Sequence, residues 1–139
     1  MTEDTVAPGA TTGATTTPAR LAMTTVDCDD PRAEAAFWSA ALGWEVAHVQ
    51  DEYAMLTGGG GAALGFGQVE SWTRPQWPDP TGAKQFHFDL AVEDLPSAEE
   101  HLTRLGATVP EFQPGGDRWR VLLDPAGHPF CLTLAANWG

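Results

Sequence analysis

The sequence predicts an α+β fold built from two βαβββ modules, and three observations lead there. Extended and helical patterns recur twice in the same order along the chain. Met23 and His87 each lie seven residues ahead of an aspartate that opens a helix, Asp30 and Asp94. "ALG" at 41–43 and "RLG" at 104–106 then close the two helices at nearly matching offsets. Strands with helices segregated to one face make an α+β domain. The expected form is a cupped sheet with both helices on its convex face.

Residues 1–19 are mostly Thr, Ala, Gly and Pro, with too little bulk to offset the entropy of ordering, so a disordered tail is expected there. The ordered domain is expected over 20–135, as modules of about 20–69 and 84–135 joined by the Pro- and Trp-rich loop 70–83. "RLAMTTVDC" (20–28) reads as a strand. "DDPRAEAAFWSAALGW" carries helix marks: Asp30 at the N-cap, Pro31 at the first helical position, a stripe of Ala35, Phe37, Trp38, Ala41 and Leu42, and Gly43 as the stop. Extended segments follow at 44–49, 53–57 and 62–69, separated by "QDE" and by the glycine run 58–61. In the second module "QFHFDLAVED" (85–94) reads as a strand and "LPSAEEHLTRLG" (95–106) as a helix. Extended segments are then expected at 108–111, 118–123 and 129–134, the last two joined by "DPAGH".

A chain of 139 residues, 42% hydrophobic with six tryptophans, can bury a core without staples. A formal net charge of -12 argues against nucleic acid, whose phosphates call for Lys and Arg, and against an anionic membrane surface. The scattered carboxylates serve solubility. Two cysteines, Cys28 and Cys131, are too few for a disulfide framework. No apolar run approaches the roughly 20 residues of a membrane span, and the first residues carry neither a basic nor an apolar signal region. A cytoplasmic protein is the expectation.

Within "KQFHFDLAVEDL" (84–95) the residues alternate: Phe86, Phe88, Leu90 and Val92 against Gln85, His87, Asp89 and Ala91. If the helices cover the first set together with Val26, Phe130, Leu132 and Leu134, the opposite face gathers Met23, Thr25 and Asp27, His87 and Asp89, and Cys131 and Thr133. An antiparallel sheet with one wet side alternates in the same way. Two features favour a cleft. The set is poor in Lys and Glu, and the neighbouring loop carries Trp72, Arg74 and Trp77, aromatics that are costly on a loop unless they cover something. Tyr53 and Trp119 complete the candidate walls. Of the remaining histidines, His48 and His101 read as surface positions and His128 as part of the hairpin turn.

"DPRAEAAFWSAALGWEV", "HFDLAVEDL" with "RLGA", and "WRVLLDPAGHPFCL", in that order over roughly 20–135, resemble the glyoxalase-like branch of the vicinal oxygen chelate superfamily. The resemblance implies paired modules cupping a cavity, often completed in a homodimer. It spans metal-dependent lyases, isomerases, epimerases and dioxygenases, and metal-free proteins that sequester antibiotics such as bleomycin. In the metal-dependent members, matching positions carry His or Gln at the start of each module and Glu on each last strand. Here those positions hold Met23, His87, a residue of "FGQ" of which Gln68 alone could ligate, and Cys131. Ni, Mn and Fe(II) centres want nitrogen and carboxylate oxygen, so a metal is disfavoured. If one binds, His87, Cys131 and Gln68 are its ligands, and a His/Cys pair with Asp27 or Asp89 would suit zinc.

Two functions are expected from this. The first is a metal-free cleft that binds a small, partly aromatic or polycyclic molecule, with His87 and Asp89 as anchors and Met23, Thr25, Asp27, Cys131 and Thr133 around them. The second is an enzyme in which His87, beside Asp89, moves a proton next to a carbonyl, as in isomerisation, cyclisation or epimerisation. A metal-dependent lyase or dioxygenase ranks third.

Overall fold

A computed structural model describes residues 20–79 and 86–138. The expected tail 1–19 and residues 80–85 of the loop and fifth extended segment lie outside the described residues. The chain divides into two compact units between Val69 and Glu70.

The first unit holds β1 (Met23–Cys28), α1 (Pro31–Leu42), β2 (Glu45–Val49), β3 (Tyr53–Thr57) and β4 (Ala63–Gln68), in a sheet of order β1-β4-β3-β2. The helix boundaries follow from local chemistry. The Asp30 carboxylate accepts from the Ala33 N–H at 3.2 Å, Pro31 needs no hydrogen bond at its position, and Gly43 takes the left-handed conformation (φ 73°) that ends the helix. β1 runs parallel to β4, pairing Thr25 with Gly65 and Val26 with Phe66. α1 packs on β2, β3 and β4. The inward residues Cys28, Ala54, Leu56, Leu64 and Phe66 are buried with Phe37 and Trp38 of the helix, whose rings meet edge to face at 5.0 Å.

The second unit holds β5 (Asp89–Val92), α2 (Leu95–Leu105), β6 (Arg120–Leu123) and β7 (Pro129–Leu134), with a 3-10 turn at Ala135–Trp138. Its sheet has order β5-β7-β6, β5 parallel and β6 antiparallel to β7. Asp94 caps α2 by accepting from the Ser97 N–H at 2.9 Å, and Gly106 (φ 126°) ends it. Leu95 and Leu102 are buried beside Leu122, Phe130 and Leu132, and α2 packs on β6 and β7.

Two expectations are corrected. The fifth extended segment does not reach the core through Phe86, which is 93% exposed. The last rung of its ladder is the Cys131 N–H donating to the Phe88 carbonyl at 2.9 Å. Further back, the rung that would engage the Phe86 carbonyl needs the N–H of residue 129, and Pro129 has none. The strand starts at Asp89, and His87 stands just ahead of it.

Residues 108–111 do not form a strand either. Thr108 makes one antiparallel bridge to Leu123, and the sheet has three strands where four were expected. The next pairing position is Pro110, which cannot donate. The Gln113 side chain takes its place. Its amide N–H donates to the Val121 carbonyl and its carbonyl oxygen accepts from the Val121 N–H, both at 2.9 Å.

Candidate functional site

Register brings the second unit's polar residues together. Asp89 is the direct partner of Cys131 on adjacent parallel strands, and Ala91 of Thr133, so their side chains share the face opposite α2. His87 folds back along this face, with Nε2 3.5 Å from Asp89 Oδ1; the two side chains are 39% and 42% exposed. One donor atom from each of His87, Asp89 and Cys131 lies within 4.8 Å of the other two, and Cys131 is the deepest of the three. Among the described residues this is the group of three His, Cys, Asp or Glu side chains that converges.

Thr133 is on the same face but already committed. Its hydroxyl donates to the Leu90 carbonyl at 3.1 Å and accepts from the Trp138 indole N–H at 2.6 Å. The sequence reading left Trp138 out, since nothing in the terminal "ANWG" marks an element.

The expected aromatic walls take other positions. The Trp72 indole N–H points at the Ala126 carbonyl (3.4 Å) and its ring lies 5.4 Å from that of His128. Arg74 donates from Nη1 to the Pro125 carbonyl at 2.7 Å. Both side chains therefore strap residues 70–79 onto the 124–128 turn. Trp77 donates to the Phe112 carbonyl at 3.0 Å and stacks at a tilt on its ring. With Glu111, Phe112 and Gln113, Trp77 lines a surface cavity of about 530 Å³. Phe112 went unread because "PEFQPGG" has no periodicity to place it. Trp119 packs over Gly115, where an added methyl would overlap its ring.

In the first unit, Met23, Thr25 and Asp27 alternate away from α1, in register with Ala63, Gly65 and Gly67. Tyr53 pairs with Gly67 on the same face. The side chains of Met23 and Thr25 lie over the two glycines. A Cβ on Gly65 would stand 2.7 Å from Met23 Sδ, and the Tyr53 hydroxyl approaches that sulfur at 3.8 Å. Tyr53 also lies 5.5 Å, ring to ring, from the exposed His48, which hydrogen-bonds Gln50. Gln68 is exposed, its amide donating to the Asp29 carbonyl at 3.3 Å. His101 is exposed on α2.

In each unit the first strand leads into a capped helix and pairs in parallel with the unit's last strand, β1 with β4 and β5 with β7. The match to known proteins agrees. A family model described as "Glyoxalase-like domain" covers residues 23–133, and the chain belongs to that family. A search of curated proteins gives no significant match. Among solved structures, a glyoxalase-related enzyme from Fulvimarina pelagi is 18% identical, with 83% of this chain and 87% of that chain covered and a TM-score of 0.58. Lactoylglutathione lyase from Agrobacterium tumefaciens is 20% identical, with coverage of 88% and 98% and a TM-score of 0.56. A glyoxalase/bleomycin resistance protein/dioxygenase family enzyme from Burkholderia phytofirmans is 23% identical, with coverage of 82% and 97% and a TM-score of 0.55. At these identities the likeness is one of fold. No helix among the described residues is long and apolar enough to cross a membrane.

Two positions that the resemblance assigns to ligands, Met23 in the first unit and Cys131 in the second, each carry a poor donor for a hard divalent ion. Met23 offers a thioether, already approached by Tyr53, and Cys131 offers sulfur where those members place a carboxylate. Mn²⁺, Mg²⁺ and Fe(II) select oxygen and nitrogen.

Proposed function

We propose that this chain is a small-molecule-binding protein of the glyoxalase-like family, anchoring its ligand on the His87–Asp89 pair and working without the family's hard-metal centre. The supporting observation is the pair itself. Its 3.5 Å approach, on a half-exposed sheet face beside Cys131, holds an imidazole and a carboxylate ready for polar groups of a ligand. A net charge of -12 suits a neutral or cationic molecule, and the class proposed is a small, partly aromatic or polycyclic compound. Sequestration in the cytoplasm, by a homodimer, requires no chemical step.

Tryptophan fluorescence of the chelator-treated protein, titrated with a panel of neutral and cationic polycyclic compounds, tests this reading. Hits that weaken in His87→Ala and Asp89→Ala support it; hits indifferent to both substitutions overturn it. Light scattering on the eluting peak decides the dimer.

A second reading rests on the same geometry. A carboxylate beside Nε2 orients the His87 ring, the arrangement a general base needs to take a proton from carbon next to a carbonyl. Isomerisation, cyclisation or epimerisation follows from returning that proton elsewhere. Exchange of such a proton with deuterated solvent, lost in His87→Ala, is its signature. A lyase or dioxygenase using a hard divalent ion is the reading that Met23 and Cys131 support least.

A further inference from the structure

We infer that His87, Asp89 and Cys131 form an open, three-donor site for a thiophilic divalent cation of the zinc class, a site confined to the β5–β7 strand pair of the second unit. The misfit with a hard octahedral ion is then a change of selectivity. Imidazole nitrogen, carboxylate oxygen and thiolate sulfur are three donors that Zn²⁺ accepts, and Asp89 supplies the one that neither Met23 nor Gln68 offers.

The distances bear on this directly. Zinc bonds of about 2.0–2.3 Å at tetrahedral angles set donors on the order of 3.3–3.8 Å apart. The His87–Asp89 approach of 3.5 Å falls inside that range. The widest separation in the trio, within 4.8 Å, has to close by about 1 Å, which a small rotation of an exposed side chain accomplishes. The parallel register fixes the Asp89 and Cys131 backbones side by side, so these two side chains leave the sheet from adjacent positions before any ion arrives. His87, ahead of the strand and bound by no rung of the ladder, is the donor that adjusts. Three protein ligands leave the fourth position to water or another small molecule, as in open zinc sites.

Binding requires a deprotonated thiol, so each ion displaces the Cys131 proton to buffer and affinity falls as pH is lowered. The site does not rest on the organic-ligand reading, which is tested with chelator present; the cation is tested with no organic compound present, so each can fail alone.

The experiment titrates untagged, metal-free protein with Zn²⁺, Cd²⁺ and Mn²⁺, using calorimetry for all three and ultraviolet absorption for the thiolate-to-cadmium transition. Expected are one equivalent of Zn²⁺ and of Cd²⁺, a sulfur-to-metal band with Cd²⁺, and no Mn²⁺ binding at the same concentration. Cys131→Ser abolishes the band, and His87→Ala or Asp89→Ala weakens Zn²⁺ by more than about tenfold, the scale on which even outer partners of a metal ligand act. Circular dichroism of each variant separates loss of a donor from loss of fold. No Zn²⁺ binding, equal binding of Mn²⁺, or a cadmium band that survives in Cys131→Ser overturns the site.

Discussion

Gln113 stands in for a strand beside Val121: its side-chain amide makes both hydrogen bonds that a neighbouring backbone would make, each at 2.9 Å. A third bond, from the Gln113 amide to the Pro110 carbonyl at 2.9 Å, ties the substitute to the proline that made it necessary. Val121 is 1% exposed, so water cannot replace the lost partners. Gln113→Ala is expected to cost about 1–3 kcal/mol through the unpaired backbone groups. Urea denaturation of the two proteins measures it, and a change within about 0.5 kcal/mol, the range of ordinary surface substitutions, contradicts the account.

The 124–128 turn is organised by one buried carboxylate. Asp124, 2% exposed, accepts from the Ala126 N–H at 3.0 Å and the His128 N–H at 2.8 Å. Gly127 takes φ 96°, and a Cβ there would meet the Arg74 guanidinium at 3.1 Å. Gly127→Ala therefore meets backbone strain of about 1–2 kcal/mol and displaces Arg74 from its carbonyl. The thermal midpoint should fall accordingly, while Gly60→Ala, also at positive φ (79°) but with open space around it, shows the strain alone.

Asp94 gives a pH dependence with a defined sign. Hydrogen bonds from the Ser97 hydroxyl and backbone N–H hold its carboxyl below the ordinary 3.8. A depressed folded-state value means that the charged form stabilises the fold above 3.8, and that this contribution disappears as pH falls through the lower folded value. The stability gap between wild type and Asp94→Ala should stay level above 3.8 and narrow in more acidic buffer. A gap that widens with acid has the wrong sign for a capping carboxylate.

His87 and Asp89 lie off the buried face, so replacing either with Ala should change stability by no more than about 0.5 kcal/mol. Denaturant midpoints check this. Unfolding of either variant would mean that the pair holds the sheet together and is not presented to a ligand.

Much of the fold was legible because helix ends advertise themselves. Asp30-Pro31 with Gly43, and Asp94 with Gly106, marked both helices, the "QDE" and glycine-run punctuation marked β3 and β4, and period-two alternation marked β7. The errors came from prolines whose effect depends on a distant partner. Pro129 bars a rung at Phe86 only once the parallel register is known, and Pro110 interrupts pairing only because it would face Val121, where Gln113 takes its place. The site was half legible. Alternation put His87, Asp89 and Cys131 on one side, but the direct pairing of Asp89 with Cys131 is a property of register, which no local pattern carries. The loop aromatics were misleading for a related reason. Trp72 and Arg74 do cover something, namely the turn 124–128, which lies about fifty residues further along the chain.

The central claim is that the His87–Asp89 pair anchors a ligand. The most direct measurement is the affinity of one organic hit for wild type, His87→Ala and Asp89→Ala, all folded and all chelator-treated. The account predicts a loss of affinity of about tenfold or more in each variant, the cost of one charge-assisted hydrogen bond. Equal affinity across the three proteins would place the ligand elsewhere and leave the pair as an ordinary wet face of the sheet.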